Sequence, residues 1–172
     1  MITGEKIALR AIEENDLEQL LNWRNQPHFR CFFREYRELN MAQQKQWFND
    51  INHRDTKSLM FSIIDLDSDE LIGACGLCYL DLKNRSADLS IYIGKDDLYI
   101  DKEFAPDTLK VLIKYAYEEL NLHRLWTEIY EEDLAKKELY DSLSFKTDGL
   151  HRDTHFSNGK WGDSWFLSYL KS

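Results

Sequence analysis

A chain of 172 residues, 43% hydrophobic and 31% charged, is one domain's worth and buries a sizeable core without disulfides or a metal. Its 22 Lys and Arg stand against 31 Asp and Glu, a formal net charge of −9, which argues against a nucleic-acid partner held by phosphate neutralisation. Seven Gly, two Pro and 13% aromatic residues exclude collagen-like, linker-rich and disordered classes.

Lys6 to Ile12 (KIALRAI) alternates as a strand, and Asn15 or Asp16 caps a helix running through Trp23, with Leu17, Leu20, Leu21 and Arg24 at helical spacing. Pro27 ends that helix, an irregular aromatic and basic stretch follows, and Asn40 caps a second helix, MAQQKQWFNDI. SLMFSIID and ELIGACGLCYL read as two strands of a hairpin, and Ser86 to Gly94 as a third strand of the same meander. After the acidic loop KDDLYIDKE, a long helix is predicted from about Pro106 to Leu120, with Leu109, Leu112, Ile113, Ala116 and Leu120 on one face. HRLWTEIYE is a strand, LAKKELYDSL a short helix, and Asn158-Gly159 the turn between two closing strands. The order β-α-α-β-β-β-α-β-α-β-β predicts an α/β domain with a mostly antiparallel sheet and one βαβ crossover.

The opening stretch has no apolar core of signal-peptide length. The longest uncharged apolar stretch, Leu71 to Leu80, falls short of the roughly 20 residues a bilayer helix needs. A soluble cytoplasmic protein without a membrane partner is expected. Cys75 and Cys78 form a lone CxxC on a strand, where they face opposite sides, and His151 and His155 are four apart on a strand, so no metal site is expected.

The opening IALRAIEENDLEQLLNWRN, the helix TLKVLIKYAYEELNLHRL, the block EIYEEDLAKKELYDSLSF and the closing hairpin resemble the GCN5-related N-acetyltransferase (GNAT) superfamily, in its ribosomal-protein and amino-sugar branch. The ending LYDSLSF parallels that family's LYxxxGF. The resemblance implies one acetyltransferase domain over 1–172, with flanking helices and two splayed parallel strands at Leu89–Gly94 and Leu125–Glu131. It implies acetyl-CoA as cosubstrate, no metal, and a small-molecule or peptide amine acceptor that attacks the thioester directly. A homodimer is compatible with the exposed sheet edges.

Carried onto this sequence, the resemblance makes Tyr140 the acid that protonates the leaving thiolate, a sensible task for a phenol near pKa 10. Glu128 is the candidate base, with Asp88 and Glu35 as rivals. Ile91 and Ile93 lie on the strand whose backbone polarises the thioester carbonyl. Asp133 stands where relatives carry a pantetheine-binding asparagine, and reads first as the cap of the next helix. Arg24, Arg30, Phe33, Arg34 and Tyr36 fall on the acceptor side, suited to an anionic aromatic or sugar-nucleotide acceptor, and Trp161 on the opposite wall. The overall acidity points instead to a polyamine or a basic protein.

The family's Q/R-x-x-G-x-G/A loop, whose amides cradle the CoA pyrophosphate, falls on Ile100, Asp101, Lys102, Glu103, Phe104 and Ala105, and only Ala105 fits it. Asp101, Glu103 and Asp107 set three carboxylates around the anion site, with Lys102 in compensation. Two readings follow: an acetyltransferase that holds CoA by displaced contacts, or a binding or regulatory protein on the same fold, with a decayed CoA site.

Overall fold

The computed structural model describes residues 1–172. Its strands are β1 (Ile2–Thr3), β2 (Ile7–Ala11), β3 (Leu59–Asp65), β4 (Leu71–Asp81), β5 (Ser86–Ile93), β6 (Arg124–Tyr130), β7 (Lys146–Ser157) and β8 (Lys160–Leu170). The helices are α1 (Leu17–Asn25), α2 (Pro27–Arg30), α3 (Met41–Ile51), α4 (Phe104–Glu118) and α5 (Leu134–Ser142). The two-residue β1 and one-turn α2 are additions to the sequence reading. α2 exists because Pro27, which ends α1, is also preorganised for a first helical turn.

Local chemistry sets the boundaries. Asn40 accepts the Gln43 amide at 3.0 Å while the Gln43 side chain accepts the Asn40 amide at 3.0 Å, a complete capping box for α3. α4 starts at Phe104, two residues before the predicted Pro106, because the Asp101 carboxylate accepts amides that would otherwise be orphaned. Pro106 still lies in the first turn, where its missing N–H breaks no intrahelical bond.

The eight strands form one sheet in the order β1-β2-β3-β4-β5-β6-β8-β7, antiparallel except for β5 and β6. That parallel pair is joined only from Ser86 to Asp88 against Arg124 to Trp126. Beyond it, β5 stays with β4 as far as Ile93 and β6 stays with β8 as far as Tyr130, so the two strands diverge into a V. The predicted splay is present.

Both faces of the sheet are covered. α4 turns Leu109, Leu112 and Ala116 onto one face, where they join Ile91, Ile93, Leu125 and Tyr140 in the larger core. Each fully buried Leu there contributes about 2 kcal/mol. α1 and α2 cover the other face with Leu17, Leu20, Trp23 and Phe29 against Tyr92 and Tyr99. The pleat of β5 sends Ile91 and Ile93 to one layer and Tyr92 to the other. Gly94 ends β5 beneath Trp23, where an added Cβ would lie 2.0 Å from the indole ring.

Candidate active site

The V between β5 and β6 opens into a cavity of about 550 Å³, lined on its β5 wall by Asp88, Leu89, Ser90, Ile91 and Tyr92 and on its β6 wall by Glu128 and Tyr130. Backbone groups of a strand point alternately to its two edges. The Gly94 amide donates to Ile72 of β4 at 2.8 Å, whereas the Ile93 amide donates away from β4, to the Tyr99 carbonyl at 2.7 Å. Ile91 shares the parity of Ile93, so its N–H and C=O face the open V. The Leu89 carbonyl, on the same edge, accepts the Tyr140 hydroxyl at 2.9 Å.

Tyr140 is fully buried against Phe145, with its hydroxyl at the point where the V begins, and it does not line the cavity. Burial raises its pKa well above the ordinary value, which keeps the phenol in its proton-donating form. Lys136, which the sequence reading passed over, reaches the cavity across the Tyr140 ring at 5.7 Å, and burial lowers its pKa.

The acceptor end is built on charge. Asp88 is 4% exposed by its side chain and Glu128 17%, and the guanidinium of Arg34 lies 2.6 Å from Asp88 and 3.5 Å from Glu128. The same guanidinium rests over the rings of Tyr79 at 5.2 Å and Trp126 at 5.8 Å, which stack on each other. Asp88 Oδ1 is buried with no hydrogen-bond partner. Burial raises the Asp88 pKa against the pull of Arg34. Glu35, by contrast, is held at about 2 by its hydrogen bond to Arg37 and is too acidic to serve as a base near neutrality.

The arginine-rich loop does not present free guanidiniums. Arg30 pairs with Glu38, Arg37 with Glu35 and Arg34 with Asp88, while Arg24 donates to Gln44 at 2.9 Å and stacks on Trp47. Each of these side chains is engaged within the chain, and the cavity they border is lined by three carboxylates, Glu35, Asp88 and Glu128, beside Arg24, Arg34, Lys57 and Lys136. Arg24, Phe33 and Arg34 line the cavity, while Arg30 does not. Tyr36 is 79% exposed away from it, and Trp161, 61% exposed, packs with Phe156 at the tip of the β7–β8 hairpin.

At the other end of the V, the Asp101 carboxylate accepts the amides of Glu103 at 3.0 Å, Phe104 at 2.8 Å and Ala105 at 2.7 Å. Asp107 accepts those of Glu5, Lys6 and Ile7, and Glu103 pairs with Lys6. Ile100 is packed against the cores, and the exposed Lys102 lies 3.8 Å from Glu138. Tyr99 spans the mouth: its carbonyl holds Ile93, and its hydroxyl donates to Asp133, which also caps α5 by accepting the Lys136 amide. Asp133 thus does serve as the helix cap. As these side chains stand, a pyrophosphate does not fit the amides of 103–105, because a carboxylate already has them.

Signals for most of the missed residues were weak. Tyr79 and Trp126 looked like ordinary strand aromatics, and only the register of β4, β5 and β6 brings them to Arg34.

The description "Acetyltransferase (GNAT) domain" belongs to the family model that matches residues 9–166. The chain is 29% identical over 170 residues to Uncharacterized N-acetyltransferase p20 of Bacillus licheniformis, covering 97% of this chain and 94% of that one. It is 25% identical over 169 residues to spermidine N(1)-acetyltransferase of Vibrio cholerae serotype O1, covering 98% and 95%. Among solved structures, spermidine N-acetyltransferase from Vibrio cholerae in complex with CoA and spermine superposes with a TM-score of 0.86 at 24% identity, covering 96% and 95%. A dodecameric structure of spermidine N-acetyltransferase from Vibrio cholerae gives 0.78 at 25% identity, covering 96% and 94%.

Proposed function

The chain belongs to the GNAT acetyltransferase family, and on that premise we propose that it moves an acetyl group from acetyl-CoA to a primary amine of a small polycation. The observation that carries the acceptor class is the buried, unpartnered Oδ1 of Asp88, set beside Glu128 and the faces of Tyr79 and Trp126. That box now holds the guanidinium of Arg34. A substrate ammonium fits the same contacts, through carboxylate hydrogen bonds and ring faces. An anionic sugar nucleotide would meet two carboxylates instead. The spermidine-named relative agrees with this choice.

The chemistry follows from the layout. Glu128 takes a proton from the ammonium, the free amine adds to the thioester carbonyl, and the tetrahedral adduct collapses with the carbon–sulfur bond broken, the second proton shed by the nitrogen restoring the phenol of Tyr140. The Ile91 amide faces the V, where it stabilises the developing oxyanion. Tyr140, whose hydroxyl is bonded to the Leu89 carbonyl at the apex, gives up that bond to supply the proton to the departing thiolate and is the acid of the reaction. With a dodecameric relative as precedent, we also propose that the chain self-associates.

The test is a panel of acceptors assayed with acetyl-CoA: spermidine, putrescine, an amino-sugar nucleotide and a peptide with a free N-terminus. Turnover with the polyamines, at least tenfold above the others in kcat/KM, is expected. Turnover confined to the sugar nucleotide would overturn the acceptor assignment.

A further inference from the structure

The cleft treats its two ends unequally, and the donor end carries a second conclusion. A phosphate group bound at a helix N-terminus needs free amides. Here the first amides of α4 are committed to Asp101, three donors on one carboxylate, at 2.7 to 3.0 Å. Charge-assisted bonds of this kind are among the strong ones. The neighbouring carboxylates take up further donors, since Glu103 is paired with Lys6 and Asp107 holds the amides of Glu5 to Ile7.

The segment that delivers Asp101 is anchored. Upstream, Lys95 is bonded to Asp65 at 2.8 Å, and Tyr99 is tied by its carbonyl to β5 and by its hydroxyl to Asp133. Asp96, Asp97 and Tyr99 all have positive φ, between 55° and 57°, so the loop takes a defined, coiled path to its carboxylate. Nothing comparable closes the next stretch of the donor route. The edge of Ile91 stays open to the cavity, and a pantetheine arm reads such an edge through its own amides.

From this we infer that Asp101 is an internal substitute for the pyrophosphate, so that the chain selects its acyl donor by the pantetheine thioester and gains little from the nucleotide. The inference rests on the transferase reading above and names its donor class: any acetylated pantetheine thioester, with or without the adenosine diphosphate half.

The experiment compares acetyl-CoA with S-acetyl-pantetheine, using spermidine as acceptor, in the wild-type chain, Asp101→Ala and Asp101→Asn. Calorimetry with CoA and pantetheine provides a readout independent of turnover. In wild type, kcat/KM for the two donors is expected to agree within about threefold, and the two Kd values likewise. Asp101→Ala is expected to raise kcat/KM for acetyl-CoA about tenfold while leaving S-acetyl-pantetheine unchanged. Asp101→Asn, which keeps one accepting oxygen and loses the charge, is expected to fall between and covers the case where the alanine variant fails to fold. A wild-type preference for acetyl-CoA of a hundredfold, or no gain in either variant, overturns the substitution and leaves the transferase reading in place. Silence of both donors with every acceptor, together with no CoA binding in any of the three proteins, overturns both.

Discussion

At one end of the cleft a carboxylate closes three amides within four residues of itself; at the other, a guanidinium reaches a carboxylate 54 positions along the chain. Both contacts fill with the protein's own charge a place suited to a ligand's. The donor-end contact is local, belonging to one loop and one helix terminus. The acceptor-end contact depends on a loop between two helices, a strand edge and two ring faces arriving together. A local contact forms whenever its helix forms, whereas a long-range one gives way to a competing cation by moving a single side chain. The acceptor end is therefore the exchangeable one.

The largest expected effect lies between the two ends. Tyr140→Phe should lower kcat by about a thousandfold, equivalent to about 4 kcal/mol, while costing only about 1 kcal/mol of stability for the bond to Leu89. Steady-state kinetics alongside a urea melt separates the two, and an undiminished kcat removes the hydroxyl from the chemistry. Next comes the seam where the acceptor-side core meets the donor loop: Gly94→Ala drives a methyl into Trp23 and should cost about 3 kcal/mol, read as a shift in urea midpoint.

Arg34→Met tests whether the acceptor-end contact is needed to shelter Asp88. A buried carboxylate left unpaired should cost about 2 kcal/mol, less than a fully enclosed pair because Arg34 is partly solvated. Adding Asp88→Asn should return most of that loss in the same melt, and a double variant no more stable than the single would refute the coupling. The smallest effect touches both ends. Glu35 is bonded to Arg37 in the acceptor loop and Asp65 to Lys95 at the root of the donor loop, and these bonds hold both carboxyl pKa values below ordinary. Their contribution is complete above the unfolded values of 4.5 and 3.8 and is lost as pH falls, for Glu35 through about 2. Urea midpoints at pH 7 and pH 3 should therefore decline with acid, and a rise would contradict the sign.

Much of the fold was legible because its signals are short-range. Asn40, Pro27, Asn158-Gly159 and the stripe on α4 each act within a turn or two, and their elements appear within two residues of the predicted ends. Glu128 and Ile91 reach the cavity as the strand assignments implied. The carboxylates of Asp101, Glu103 and Asp107 were visible as charge, but which amide each takes depends on the path of a loop with three non-glycine residues at positive φ. The arginine loop is less legible for the opposite reason. Its composition suggests anion binding, and only sheet register shows that Asp88 and Glu128 face Arg34 before any ligand does.

The brevity of the β5–β6 seam has a mechanical side. Three residue pairs join two plates, β1 to β5 and β6 to β8, and each plate is one unbroken stretch of chain with α4 as the strap between them. The seam is three pairs long, against seven on either side of it, between β4 and β5 and between β6 and β8. The interior of the sheet yields first along so short a ladder, so an enzyme on this fold can widen its cleft without unravelling either half.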